Sequence, residues 1–180
     1  MTYTESVIGT TGERDLVRQA LAGSAPARSE LFRRYGTNAW RSALLVTGSR
    51  TLADDATQEG FMAAFAALDR FDDSRAFGPW VGRIVVNRAL DLARSDARAA
   101  SRATGAVAPD WIDPDPADRS FVRAALAELD ADQRAVVALR FWLDLSGPEI
   151  AAALKIPLGT VHSRLARALD VLRTTMEGQR

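Results

Sequence analysis

The stretch Leu145-Ser146-Gly147-Pro148-Glu149-Ile150-Ala151-Ala152-Ala153-Leu154-Lys155-Ile156-Pro157-Leu158-Gly159-Thr160-Val161-His162-Ser163-Arg164-Leu165-Ala166-Arg167-Ala168-Leu169 decides how the end of this chain folds. Pro148 suits the first turn of a helix, where its missing N–H costs nothing. Ile150, Ala151 and Leu154 then form an apolar stripe at helical spacing. Lys155-Ile156-Pro157 ends that helix, because the residue before a proline is pushed out of the α region. A second helix follows, with Thr160 as its expected N-cap. Val161, Leu165, Ala168, Leu169 and Leu172 are expected to face inward, leaving His162, Ser163, Arg164 and Arg167 outside. Two short helices and a tight turn make a helix-turn-helix, whose second helix fits a DNA major groove. Taken alone, the same pattern also describes an ordinary αα-hairpin with solvated arginines.

Working outward, nearly every other segment also reads as helix, and strand-like alternation is absent. Helices are expected over 13–21, 27–46, 51–68, 77–98, 121–129 and 131–143. Leu31, Tyr35, Trp40, Leu44 and Leu45 are candidate core residues of the second, and Leu52, Ala56, Phe61, Phe65 and Leu68 of the third. Between residues 101 and 118 the composition changes to Ala, Gly and Asp around Pro109, Pro114 and Pro116, which reads as a flexible linker. Trp111 is unusual there. The expected architecture is all-α: a helical domain over 1–99, a linker over 100–117, and a helix-turn-helix domain over 118–180.

Composition limits the function. The 180 residues contain no cysteine, which removes disulfides, thiolate metal sites and cysteine nucleophiles. A single histidine, His162, makes a histidine-based metal site or a Ser-His-Asp triad unattractive. No metal, cofactor or catalytic constellation is expected, so the chain does not read as an enzyme. No apolar run approaches a membrane span, and Met1–Gly12 does not resemble a secretory signal. A cytoplasmic protein without membrane insertion is the simplest expectation.

Charge is balanced, 23 Lys+Arg against 23 Asp+Glu, but unevenly placed. From Arg75 to Arg98 there are five arginines and two acids, whereas Asp54, Asp55 and Glu59 stand together without a basic neighbour. Patches of opposite sign point to more than one partner. Asp55 and Glu59 are four apart on one helix face, with Asp54 and Gln58 beside them. The alternatives for this face are plain solvation and docking of a basic protein surface. Downstream, Phe71-Asp72-Asp73-Ser74-Arg75-Ala76-Phe77-Gly78-Pro79-Trp80-Val81-Gly82-Arg83-Ile84-Val85-Val86-Asn87-Arg88 interleaves aromatics and arginines. That mixture suits single-stranded nucleic acid, where arginines hold phosphates and aromatics offer stacking faces. Asn87 lies one helical turn beyond Arg83, where its amide could read a base edge. Phe77 and Trp80 fit a core equally well.

Three blocks together resemble the extracytoplasmic-function group of the sigma-70 family of bacterial initiation factors. Asp54-Asp55-x-x-Gln58-Glu59-x-Phe61 resembles the family's second conserved region. Phe77-x-x-Trp80-x-x-Arg83-Ile84-x-x-Asn87 resembles its promoter-melting region. Ile156-Pro157-x-Gly159-Thr160-Val161-x-Ser163-Arg164-Leu165 resembles its recognition helix. The resemblance runs from about residue 28 to 173. It implies a subunit that confers promoter choice on RNA polymerase, not an enzyme. Asp54, Asp55, Gln58 and Glu59 would dock on the coiled coil of the largest polymerase subunit. Phe71, Asp72, Asp73, Ser74, Arg75, Trp80, Arg83, Asn87 and Arg88 would meet the −10 single strand. Thr160, His162, Ser163, Arg164 and Arg167 would meet the −35 duplex. Core polymerase and promoter DNA are the implied partners, with an anti-sigma factor as a further one. Gly60, Gly82 and Gly147-Pro148 depart from the family pattern, which usually has larger residues at 60 and 82. Two rivals stay open at this level: a stand-alone helix-turn-helix regulator and a helical adaptor that binds no DNA.

Overall fold

The computed structural model describes residues 5–100 and 120–177, and every regular element among them is helical. A first group comprises α1 (Glu5–Leu21), α2 (Ala25–Thr47), α3 (Arg50–Ala66) and α4 (Phe77–Ala100), with a short 3-10 turn at Leu68–Arg70. A second comprises α5 (Ser120–Ala127), α6 (Ala131–Val137), α7 (Gly147–Leu154) and α8 (Leu158–Glu177), with a π turn at Ala138–Trp142 after α6. The 101–118 linker and Trp111 lie outside the described residues.

Local chemistry sets most helix ends. Ser24 caps α2 by accepting from the Ala27 N–H at 3.3 Å, and Ser49 caps α3 by accepting from Leu52 at 3.4 Å. Gly48, at φ 70°, closes α2 in the left-handed conformation and donates its N–H to Leu44. α1 begins earlier than the expected residue 13, whereas most other expected ends fall within two or three residues of those observed.

The first core is built on Leu31, Val46, Phe61, Phe77, Val81, Val85 and Val86, each almost fully buried. Each such side chain contributes about 1.5–3 kcal/mol through burial. Gly60 brings α3 against α4: a Cβ there would lie 2.6 Å from Val85 Cγ2 and 3.0 Å from its Cα. The glycine that departs from the family pattern therefore makes this crossing tighter.

In the second group, Leu139, Leu145, Ile150, Val161 and Ala168 are buried together. Two expectations are corrected here. Thr160 does not cap α8: the Pro157 carbonyl already accepts from Thr160 at 2.9 Å and Val161 at 3.2 Å, so the helix starts at Leu158. Leu169 does not face inward but is 44% exposed, because Val161, Leu165, Ala168 and Leu172 complete the stripe and leave it at the edge.

The two groups share one hydrophobic cluster. Arg134 of α6 is buried at the junction, donating from Nε to the Val46 carbonyl of α2 at 3.0 Å and from an amino group to Leu129 at 2.6 Å. Carbonyls in the last turn of a helix lack intrahelical donors, and a cation is favoured there. Burial pulls the Arg134 guanidinium below its ordinary value, opposed by the nearby charge of Asp130.

Candidate nucleic-acid and partner interfaces

The acidic face forms as the sequence suggests. Asp54, Asp55, Gln58 and Glu59 are all exposed along α3, while Ala53, Ala56 and Phe61 point into the core. A groove of about 520 Å³ runs beside them, lined by Phe32, Gly36, Thr37, Trp40, Asp54, Thr57 and Gln58. Trp40 donates its indole N–H to Asp54 at 2.6 Å, and Arg50 stacks 5.7 Å from the Trp40 ring. Phe32 is 45% exposed at the groove, in edge contact with Phe61. The face thus joins carboxylates to an accessible apolar strip. Trp40 is only half-buried and belongs to this surface as much as to the core.

The loop before α4 is held from several sides. Asp72 accepts from the Ser74 N–H at 3.0 Å and the Ser74 hydroxyl at 2.6 Å, which keeps its carboxyl below the usual range. Asp72, Asp73, Ser74 and Arg75 are exposed. Phe71, Phe77 and Trp80 pack as one aromatic cluster with centroids 5.0–5.7 Å apart. Phe77 is wholly buried and belongs to the core, whereas Trp80 keeps part of its surface accessible. Glu13 of α1 ties this corner down: one carboxylate oxygen accepts the Phe77 N–H at 3.0 Å, and the other accepts the Tyr35 hydroxyl. That satisfies one orphan donor at the start of α4 and places a negative charge where the helix favours it. Burial and the Glu13 carboxylate together push the Tyr35 phenol up.

Arg83, Asn87 and Arg88 project from α4, and each has a partner. Arg88 pairs with Glu59 of the acidic face. Arg83 stands 3.9 Å from Glu149, and its Nε is buried without an acceptor. Such an unmet donor costs on the order of 1–3 kcal/mol. The Asn87 amide donates to the Ala153 carbonyl of α7 at 3.1 Å. A cleft of about 380 Å³ opens beside them, lined by Arg75, Trp80 and Arg83 from one group and Leu143, Asp144 and Glu149 from the other.

The helix-turn-helix is built on a capping box: Glu149 accepts from the Ser146 N–H at 2.9 Å and the Ser146 hydroxyl at 2.7 Å. These bonds hold the Glu149 carboxyl below its ordinary range. Lys155, at φ 53°, makes the turn in a left-handed conformation and lets Ile156 donate to Ala151 at 3.1 Å. Gly147 allows close approach of α8, since a Cβ there would meet Leu158 at 3.1 Å and His162 Nε2 at 3.3 Å. His162, Ser163 and Arg167 are exposed, and Thr160 is half-exposed. Arg167 bonds back to the Ser163 carbonyl at 3.2 Å. Arg164 instead turns to Asp132 at 2.8 Å.

Sequence reasoning leaves aside Glu13, Arg94 and Asp132, and it assigns Trp40 to the core alone. Asp132 lies 2.5 Å from Arg94 and 2.8 Å from Arg164. Only the wealth of arginine over 75–98 hinted at Arg94. Among the described residues no cluster of three or more His, Asp or Glu could hold a metal ion.

Residues 31–99 match the family description Sigma-70 region 2, and residues 122–172 match Sigma-70, region 4. The chain is 32% identical to the RNA polymerase sigma factor CnrH of Cupriavidus metallidurans, over 92% of this chain and 94% of that one. It is 30% identical to the ECF RNA polymerase sigma factor SigL of Mycobacterium tuberculosis, over 89% of this chain and 95% of that one. The solved structure of CnrH in complex with the cytosolic domain of CnrY superposes with a TM-score of 0.63 at 29% identity, covering 93% of this chain and 99% of that one. An all-helical fold with these two matched regions defines a sigma-type initiation factor. The chain belongs to the extracytoplasmic-function group of the sigma-70 family and is an RNA polymerase sigma factor.

Proposed function

We propose that this sigma factor divides its work between the two helical groups. Residues 1–99 dock on core polymerase and open the −10 element, residues 118–180 read the −35 element, and 100–117 tether them. The observation that carries this reading is the exposure of side chains on three surfaces: the acidic α3 face, the loop before α4 with neighbouring α4 side chains, and the outer side of α8. Asp54, Asp55, Gln58 and Glu59 meet a basic surface of the coiled coil in the largest polymerase subunit, where opposite charge steers association. The accessible strip of Phe32 and Trp40 adds apolar area to that contact.

Phe71, Asp72, Asp73, Ser74 and Arg75 receive a base turned out of the −10 strand, and Trp80 provides a stacking edge. Arg83 and Arg88 hold phosphates, while the Asn87 amide reads a base edge. Capture of the extruded base offsets an unstacking cost of about a few kcal/mol, so melting needs no hydrolysis by this chain. His162, Ser163 and Arg167 enter the −35 major groove, with Thr160 and Arg164 at its backbone. The protein acts by binding, not by catalysis, and in the cytoplasm. No described helix is long and apolar enough to cross a membrane. CnrH is solved bound to the cytosolic domain of CnrY, and an anti-sigma partner of comparable role is proposed for this chain.

The test is run-off transcription on a genomic promoter library with core polymerase from a related bacterium. Discrete start sites sharing a −35/−10 pair, found only when the protein is added, are expected. Absence of such transcripts with folded protein and active core would refute the assignment.

A further inference from the structure

The hydrogen bonds of the loop before α4 stay within it: Ser74 gives its N–H and hydroxyl to Asp72, and the Arg75 N–H goes to the Asp72 carbonyl at 3.0 Å. Its place in the fold is therefore set at its two ends. At the entry, the Phe71 N–H goes to the Leu68 carbonyl at 3.2 Å, and the 3-10 turn that carries Leu68 packs on α1. At the exit, Ala76 stands where a capping residue belongs but has no side-chain acceptor, and Pro79 brings no N–H to the first turn of α4. Glu13, 64 residues back in the chain, supplies the acceptor for the Phe77 N–H. α1 thus borders both ends of the loop.

The carboxylate is itself held. Val17 and Ala20 bury α1 in the core, and Arg28 of α2 donates from Nε to the Ala20 carbonyl at 3.1 Å. The Tyr35 hydroxyl donates to the second Glu13 oxygen, while the Tyr35 ring lies 5.4 Å from Phe77 and closes on Gly78, where a Cβ would come within 3.1 Å of it. Phe77 in turn packs on Phe71 and Trp80, at 5.7 and 5.6 Å. One backbone amide and one ring therefore connect Glu13 to the side chains that flank the loop.

We propose that Glu13 is a positioning residue for base capture at the −10 element: by holding the first turn of α4 from α1, it sets where Phe71, Trp80 and the 72–75 loop stand when the strand arrives. This role rests on the assignment of that loop to the −10 strand. Glu13 acts through Phe77 and does not meet DNA. It lies ahead of residues 31–99, which match Sigma-70 region 2, so a helix outside the matched region becomes part of the −10 site. A loop already held in its binding geometry loses less freedom when it binds. The site uses the reach of Glu13 and its acceptor oxygen, not its charge. Glutamine has the same reach, can accept from Phe77 and can donate to the Tyr35 oxygen, whereas aspartate keeps the charge and is one methylene too short.

The test uses the full chain bound to core polymerase. The probe is a fluorescein-labelled single-stranded 20-mer with the −10 non-template sequence of a promoter recovered by run-off transcription, compared with a 20-mer of the same bases scrambled. The ratio of the two dissociation constants measures discrimination, which a loss of folded protein does not change. Glu13→Ala and Glu13→Asp should each lower that ratio at least fivefold, with core binding within twofold of the parent. Glu13→Gln should stay within twofold, as should Asp15→Ala, an exposed acid of the same helix.

Unchanged discrimination in folded Glu13→Asp, or a loss in Glu13→Gln as large as in Glu13→Asp, would overturn the proposal. Circular dichroism identifies a variant that has unfolded, and the Asp and Gln variants decide the matter without Glu13→Ala. A parent chain that directs no transcripts refutes the initiation reading and this role with it. A parent that transcribes while Glu13→Asp discriminates normally refutes the positioning role alone.

Discussion

Glu59 of α3 and Arg88 of α4 form an ion pair between residues 29 positions apart, joining the face proposed for polymerase to the face proposed for DNA. Both side chains are close to half-exposed, so the pair is worth at most about 1 kcal/mol to the fold. Its larger consequence is positional. A partner that engages Glu59 competes for the carboxylate that holds Arg88, which frees the guanidinium for a phosphate.

Reversing charge on the docking face tests the first half of that relationship. Asp55→Arg combined with Glu59→Arg should abolish co-purification with core polymerase. Repulsion between the new residue 59 side chain and Arg88 costs about 1 kcal/mol or less at this exposure, so the helical circular dichroism spectrum should be unchanged. Retained association of the folded variant would remove the acidic face from the polymerase contact.

Arg167 is exposed on α8 and bonded only within its own helix, so its removal should leave the fold intact. Loss of one base or phosphate contact is worth roughly 1–3 kcal/mol. Arg167→Ala should therefore lower promoter-dependent run-off transcription about tenfold or more, with core binding within twofold of the parent. A loss of core binding would contradict the division of labour.

Asn87→Ala removes a side chain proposed to act after the duplex opens. Permanganate reactivity of unpaired thymines near the −10 element should fall at least fivefold, while retention of closed complexes in a gel changes less than twofold. Equal losses in both assays would show that Asn87 serves initial binding instead.

Gly60→Ala tests the crossing of α3 and α4. The added methyl meets Val85 at 2.6 Å and its backbone at 3.0 Å, so relief requires a helix shift. Overpacking of this kind costs about 1–3 kcal/mol, against up to about 1 kcal/mol gained in helix propensity. Urea denaturation should show a lower midpoint with an unchanged slope. A higher midpoint would mean that the crossing relaxes freely.

Much of the fold was legible because its signals are local. Pro148 and the Lys155–Pro157 break mark the helix-turn-helix through backbone chemistry that needs no distant partner. The acidic α3 face and the exposed His162, Ser163 and Arg167 follow from the helical period. Legibility failed where two readings differ by a fraction of a turn. Thr160 is a good N-cap by type, but the Pro157 carbonyl starts α8 earlier. Residues 131–143 read as one plain helix, yet its end widens into a π turn from which Phe141 and Trp142 stand exposed.

By itself, then, the sequence determined an all-helical chain, the helix-turn-helix, the charge patches and the family resemblance, because periodicity, caps and breakers act over a few residues. Only the tertiary structure decided that Glu13 secures the start of α4, that Asp132 holds Arg94 and Arg164, and that Leu143 rests over Gly82. Those contacts join residues far apart in the chain. Whether a glycine opens a void or admits a neighbour, and whether an arginine meets solvent or a carboxylate, depends on what the folded chain brings to it.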